Sequence, residues 1–323
     1  MKYFITDRRS GLGDALLNLV ATWWLAKEYG GSVIIDWSKL PYTVTNWDRD
    51  GGNFSRHKVN IFNSLFEMPP PLEGVKFETP EQFSELFFDD WNNALKDINE
   101  LPLVKMNGQH LEETLKQGDF IRVRSRLGAP FSHPKFPRAV DFNFVDFFNH
   151  LPIQKKLKEE IDRFFDSNFK NNSTVGIHLR HGTGESVQGR TRRECSPELK
   201  VKEVLKFSKD KLGDLEKFKY FICTDNQECE DLLLKEFPNS FSSPKKLPSL
   251  GDDDSSYHES HQGASHYNPH LNPINSIKEA FFDLYLLSLC DVFMGSNYSV
   301  FSYLAQKSIV EVYEFPSIIY SNP

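Results

Sequence analysis

Residues 2–37 read KYFITDRRSGLGDALLNLVATWWLAKEYGGSVIIDW. KYFIT and SVIIDW are short aromatic and β-branched runs of strand type. Between them the turn SGLGD leads into ALLNLVATWWLAKEYG, whose apolar density and closing glycines at 30 and 31 predict a helix. Strand, helix, strand is a βαβ unit, which demands a parallel sheet with helices packed on its faces.

The same alternation returns later. IQKKLKEEIDRFFDSNF (153–169) has the spacing of an amphipathic helix. STVGIHL, FKYFICT, DVFMG and SIVEVYE then read as strands, and VKEVLKFSKDKL, CEDLLLKEF, SIKEAFFDLYLLSLC and SVFSYLAQ as helices. This predicts an α/β chain in two halves. The stretch from about 40 to 150 is irregular and aromatic, with loops at MPPPLEG and HPKFP, and 251–273 is polar and turn-rich.

With 323 residues the chain has length for about two domains. A net charge of −7 argues against a nucleic-acid surface, which needs an excess of Lys and Arg, but leaves room for a local basic site holding a small anion. No run approaches about 18 apolar residues, so no membrane span is expected, and a cytoplasmic location is. The four cysteines lack CxxC spacing and read as free thiols.

Four stretches carry candidate chemistry. In GIHLRHGTGE (176–185), His178 and Arg180 leave the strand on one face, where open α/β sheets place ligands. The planar fork of Arg180 suits a phosphate, and Gly182 and Gly184 allow a bulky anion close to the backbone. The plain alternative is a charged loop with Arg180 paired to Glu185. In DRRSGLGDALL (7–17), a strand, Gly11-x-Gly13 and a helix start would expose N–H groups to an anion. A third glycine is lacking, which weakens any NAD reading, and Asp14 is most simply a helix cap. In ICTDNQE (222–228), Thr224 and Asp225 end a strand and read first as a helix cap. Asp283 lies in an otherwise apolar helix and needs a partner: either a guanine, whose N1–H and 2-amino group can both donate to one carboxylate, or a buried salt bridge. His258, His261, His266 and His270 have no accompanying ligand spacing, so a metal site is not expected.

Together RRSGLGDALLNLVATWWLAKEYGGSVIIDW, GIHLRHGTGE, FICTDNQE, and HQGAS followed by FFDLYLLSLC resemble the nodulation fucosyltransferases of NodZ type. They are similar, more distantly, to the core α1,6-fucosyltransferases. The likeness runs in order from about residue 3 to 314 and is weakest at 40–150. It implies a GT-B glycosyltransferase fold, two Rossmann-like domains facing a cleft. The expected division is an acceptor-side domain over 1–160, a GDP-sugar-binding domain over 161–305 and a C-terminal segment, 306–323, packing back on the first.

The resemblance also implies an inverting, metal-independent enzyme without cofactor. Its donor is GDP-β-L-fucose and its acceptor an oligosaccharide or glycan, by precedent the 6-hydroxyl of an N-acetylglucosamine. Carried across, Arg180 matches the family's essential arginine on the donor pyrophosphate, with His178 beside it. His181 stands where a second arginine is found in the family. Gly13 and Asp14 match an N-terminal loop reaching the donor, and Thr224 and Asp225 a donor-loop pair. Asp283 fits the guanine-binding carboxylate and Ser299 the phosphate-binding serine. Glu185 is placed like a base, with Asp14 and Asp36 as other candidates. Alternatives are another GDP-fucose-dependent transferase (O- or α1,2-) or an inactive nucleotide-sugar-binding relative.

Overall fold

The computed structural model describes residues 1–6, 11–37, 40, 44–46, 55–56, 60–83, 101–104, 111–124, 144–180, 186–187, 190–191, 196–245, 247, 273–296 and 299–315. The chain divides into two compact units, Met1–Gln154 and Lys155–Pro323.

The first unit opens with strand β1 (Lys2–Thr6), helix α1 (Leu12–Tyr29) and strand β2 (Gly31–Ile34). Helix α1 is buried almost all round, from Leu12 through Ala26, as expected of a helix with apolar residues on every side. Gly30 ends it at φ 69°, a left-handed conformation that glycine adopts without a side-chain penalty, and donates its N–H to Ala26. The next glycine serves a different need: a Cβ on Gly31 would sit 2.6 Å from the Lys2 carbonyl oxygen, so only glycine lets β2 enter beside β1. Strands β5 (Phe77–Glu78), β6 (Leu103–Val104) and β7 (Phe120–Val123) complete a parallel sheet in the order β5-β2-β1-β7-β6. A short antiparallel ribbon, β3 (Val44–Asn46) with β4 (Ser55–Arg56), and the short helices α2 (Leu111–Lys116) and α3 (Phe144–His150) also belong to this unit. Trp37 packs edge-on to Phe62 and Phe66 in its core.

The second unit begins with helix α4 (Lys155–Asn168). It buries Leu157 and Ile161. Farther along, Phe164 joins Phe169, Phe221 and Phe241 in a cluster with ring centroids 5.2–6.4 Å apart. Strand β8 (Thr174–Leu179) follows and is buried along its whole length, as a central parallel strand covered on both faces must be. After the ribbon β9 (Ser186–Val187) with β10 (Arg190–Thr191) come α5 (Pro197–Leu212), β11 (Lys219–Thr224), α6 (Gln227–Glu236), β12 (Ser240–Ser242), α7 (Pro273–Leu287), β13 (Val292–Ser296), α8 (Val300–Ala305) and β14 (Glu311–Phe315). The sheet is parallel, in the order β12-β11-β8-β13-β14. Within 306–323, residues Glu311–Phe315 thus form an edge strand of this sheet. Two parallel five-stranded sheets make the chain α/β with two Rossmann-like units.

Candidate functional site

Strand order in the second sheet runs outward in one direction from β8 to β12 and in the other from β13 to β14, so the topological switch falls between β8 and β13. Ligands of open α/β sheets bind at the carboxyl ends of such neighbouring strands. A closed set of hydrogen bonds joins those ends here. Ser296 Oγ donates to the His178 carbonyl (3.3 Å) and accepts from the Arg180 backbone N–H (3.1 Å). Ser302 Oγ accepts from the Ser296 N–H (3.1 Å) and bonds His178 Nδ1 (2.6 Å). The His178 ring also lies against Phe301, centroids 4.9 Å apart. The first residue past β8 is thereby fixed in backbone position before its side chain is considered.

That side chain is held from the next strand. Arg180 Nε lies 3.2 Å from Asp225 Oδ2, with 16% of the arginine side chain exposed and 1% of the aspartate's. A carboxylate this buried is tolerable only with a charged or hydrogen-bonding partner. The pairing requires Asp225 not to cap α6, and it does not. The cap is Asn226, whose Oδ1 accepts from the Cys229 N–H at 2.9 Å. The expectation that Thr224 and Asp225 form the helix cap is corrected by one residue. Thr224 Oγ1 is buried and, among the described residues, makes no hydrogen bond.

Asp283, on α7, lies in a buried salt bridge. Lys245 Nζ lies 2.9 Å from Asp283 Oδ2 and 2.9 Å from Glu230 Oε1, with 4% of the lysine side chain exposed. Ser243 Oγ donates to Oδ1, and the Cys223 thiol lies 3.3 Å from Oδ2. Burial works against the Lys245 ammonium, but Asp283 and Glu230 outweigh it and hold its pKa above the ordinary lysine value. Burial first, and Asp283 second, push the Cys223 thiol up, so it is neutral. Ser299 precedes α8 and its hydroxyl caps nothing.

In the first unit, Gly11 precedes α1 without a side-chain cap. Asp14 is therefore not the cap expected of it. It stands one position after buried Gly13 in the first turn, half-buried, where a negative charge complements the helix dipole. Thr6 Oγ1 accepts from the Asp36 N–H at 2.8 Å, tying the ends of β1 and β2. Arg122 is buried and donates Nε to the Leu101 carbonyl. His181, Glu185, the histidines of 251–270 and Cys195 lie outside the described residues. Among the described residues no group of three His, Cys, Asp or Glu is arranged to hold a metal ion, and Cys223, Cys229 and Cys290 are buried free thiols.

Comparison with known proteins decides the family. The model of the Nodulation protein Z (NodZ) family matches residues 141–318, more than half of the chain and the whole of the strand-end site above. The chain belongs to the NodZ family. It is 24% identical to Nodulation protein Z of Azorhizobium caulinodans over 324 residues, covering 96% of this chain and 90% of that one. With Nodulation protein Z of Sinorhizobium fredii it is 23% identical, covering 97% and 93%. The crystal structure of a NodZ α1,6-fucosyltransferase soaked with GDP-fucose superposes with a TM-score of 0.63 at 21% identity, over 96% of this chain and 94% of that one. The fold is accordingly the GT-B fucosyltransferase fold.

Three residues of this NodZ-family site carry no signal in the sequence. Ser296 and Ser302 look like ordinary strand-end and helix serines until the register sets Gly295 beside His178 and so brings β13 against β8. Lys245 stands in a turn-like SSPKK run, 38 residues from the carboxylate it pairs with.

Proposed function

We propose that this chain is an inverting, metal-independent fucosyltransferase that moves L-fucose from GDP-β-L-fucose to a sugar hydroxyl, forming an α1,6 link to an N-acetylglucosamine of an oligosaccharide. The observation that carries this reading is Arg180, set at the switch point by Ser296 through its backbone and by Asp225 through its side chain. Family membership and the likeness to a GDP-fucose-soaked relative support the donor.

In the reaction an acceptor oxygen attacks the fucose anomeric carbon from the face opposite GDP. The new carbon–oxygen bond forms as the bond to the β-phosphate oxygen breaks, and the electron pair leaves with the diphosphate. Arg180 neutralises that growing charge in the role a divalent ion plays elsewhere. Because Asp225 already fixes the guanidinium, little reorganisation is needed as the charge appears. His178 supports the Arg180 loop, and His181 follows it. Gly13 and Asp14 at the start of α1 supply backbone N–H groups and an orienting charge toward the donor. Thr224 offers a buried hydroxyl with no other bond among the described residues, Ser299 another toward phosphate, and Asp283 accepts from the guanine edge. Glu185 takes the acceptor proton, with Asp14 or Asp36 as the other carboxylates available for that step.

The test is release of GDP from GDP-fucose in the presence and absence of chitin oligosaccharides, with product linkage read by mass spectrometry and NMR. Acceptor-dependent GDP release that survives EDTA, with a 6-linked α-fucoside as product, is expected. Binding without release would make the chain an inactive nucleotide-sugar-binding relative. A product linked at O2 or to a protein hydroxyl would make it a different GDP-fucose-dependent transferase.

A further inference from the structure

The buried lysine has one hydrogen-bond donor to spare. An ammonium carries three N–H groups. Lys245 donates one to Asp283 at 2.9 Å, faces Glu230 Oε1 as an ion pair at 2.9 Å, and among the described residues has no further partner. The cluster lies at the carboxyl ends of β11 and β12: Cys223 is the penultimate residue of β11, and Ser243 directly follows β12. Cys223 and His178 are register partners, so their side chains leave the same face of the sheet. From β8, where Arg180 follows, to β12 is two strand spacings, about 10 Å. That separation is of the order that divides a nucleoside's base edge from its phosphates.

We propose that Lys245 is a specificity-determining residue of the donor site, donating to the O6 carbonyl of the guanine while Asp283 accepts from N1–H and the 2-amino group. The inference rests on the reading of Asp283 as the base-binding carboxylate given above. Acceptor capacity permits it. A carboxylate offers about four lone-pair sites. Three are taken at Asp283, by Ser243, Lys245 and Cys223. The neutral thiol is the weakest of the three donors and yields its place, which gives guanine the two acceptors it needs. Adenine is refused twice, because its 6-amino group meets an ammonium and its N1 lone pair meets a carboxylate. Glu230 keeps Lys245 in place, leaving the ammonium to bridge Asp283 and the purine oxygen.

Nucleotide binding by the full-length protein, measured calorimetrically for GDP, IDP, 6-thioguanosine diphosphate and ADP, tests this. IDP lacks only the 2-amino group, whereas the 6-thio nucleotide keeps that group and N1–H and replaces O6 with a weakly accepting sulfur. Wild type should prefer GDP over the 6-thio nucleotide by about tenfold, within the range of one hydrogen bond to a charged group. The charge-balanced double variant Lys245→Met/Glu230→Gln should lose most of that preference and still prefer GDP to IDP. Lys245→Gln/Glu230→Gln, which restores an N–H donor at 245, should regain part of it, whereas a merely structural role would affect both variants alike. Equal wild-type affinity for GDP and the 6-thio nucleotide overturns the proposal whether or not the variants fold, as does a Met variant of unchanged preference. If GDP and IDP also bind equally, it is the Asp283 reading that fails.

Discussion

Two parallel five-stranded sheets of the same chain finish their carboxyl edges in different ways. In the first, order β5-β2-β1-β7-β6, the described groups beyond β1 and β2 are Thr6 bonded to the Asp36 backbone, an uncapped helix start at Gly11 and half-buried Asp14. In the second, order β12-β11-β8-β13-β14, the corresponding ground holds two buried ion-paired groups: Arg180 with Asp225, and Lys245 with Asp283 and Glu230. Buried charges are costly to fold and persist where their partners are built in. One topology thus serves two purposes. At β1 and β2 the first sheet presents backbone and the acids Asp14 and Asp36, whereas the second presents charges already oriented, suited to an anionic nucleotide whose charge grows during reaction.

The largest test of that contrast is Arg180. Arg180→Ala should lower kcat by about 10²–10³, as removal of one preorganised transition-state donor does elsewhere. Asp14→Ala in the first unit should cost about tenfold or less, since a partly buried dipole partner contributes at most about 1–2 kcal/mol. Steady-state kinetics on both variants, with circular dichroism as the folding control, measure the pair, and equal losses would break the comparison. Arg180→Lys should behave nearly like the alanine variant in rate while retaining more thermal stability, because it keeps a charge near Asp225 but not the fork.

Asp225→Asn comes next. It keeps the shape and removes the charge that holds Arg180 Nε. A charge-assisted hydrogen bond contributes about 1.5–3 kcal/mol, so kcat/KM should fall roughly 10- to 100-fold. A fall confined to stability, with kcat/KM unchanged, would show that Asp225 supports the fold and not the arginine.

Much of this arrangement was legible from residue order. KYFIT is β1, Gly30 stops α1 as the glycine signal predicts, and the strand before Arg180 ends at Leu179. The errors cluster where several residues of one chemical kind sit together. Thr224, Asp225 and Asn226 are all good caps, and local spacing does not choose among them; the choice falls to Asn226 because Asp225 has an arginine to meet from another strand. Asp14 reads as a cap by type, but α1 starts two residues earlier. Asp283 announces by burial that it needs a partner, yet the partner, Lys245, comes from across the sheet edge. The serines at 296 and 302 become visible only once register is known, because hydroxyls are common and their partners here are set by strand pairing.

Packing gives a third, smaller effect confined to the first unit. Gly31→Ala would press a Cβ against the Lys2 carbonyl oxygen at 2.6 Å, a backbone atom with little freedom to move. Overpacking of this kind costs about 1–3 kcal/mol. Thermal unfolding followed by calorimetry should show the loss in the transition that carries the first unit. Nucleotide affinity below that transition should stay within about threefold, since mutations away from a site with no shared partners act independently.

A last pair of variants isolates what the second edge adds. Each sheet has one strand-end hydroxyl that stitches it to its neighbour: Thr6, bonded to the Asp36 N–H and carbonyl, and Ser296, bonded to the His178 carbonyl and the Arg180 N–H. Thr6→Val and Ser296→Ala each remove a buried hydroxyl and leave a backbone N–H without its acceptor, a loss of about 1–3 kcal/mol of stability in both. Their catalytic consequences should part. Ser296 anchors the backbone of the residue whose guanidinium meets the diphosphate, so its loss should lower kcat by about tenfold, in line with one weakened positioning bond. Thr6 anchors the backbone of Asp36 beside β2, and kcat should hold within about twofold at a temperature where both proteins are folded. If Thr6→Val lowers kcat as much as Ser296→Ala does, the first sheet's edge is as deeply engaged in the chemistry as the second, and the division of labour between them falls.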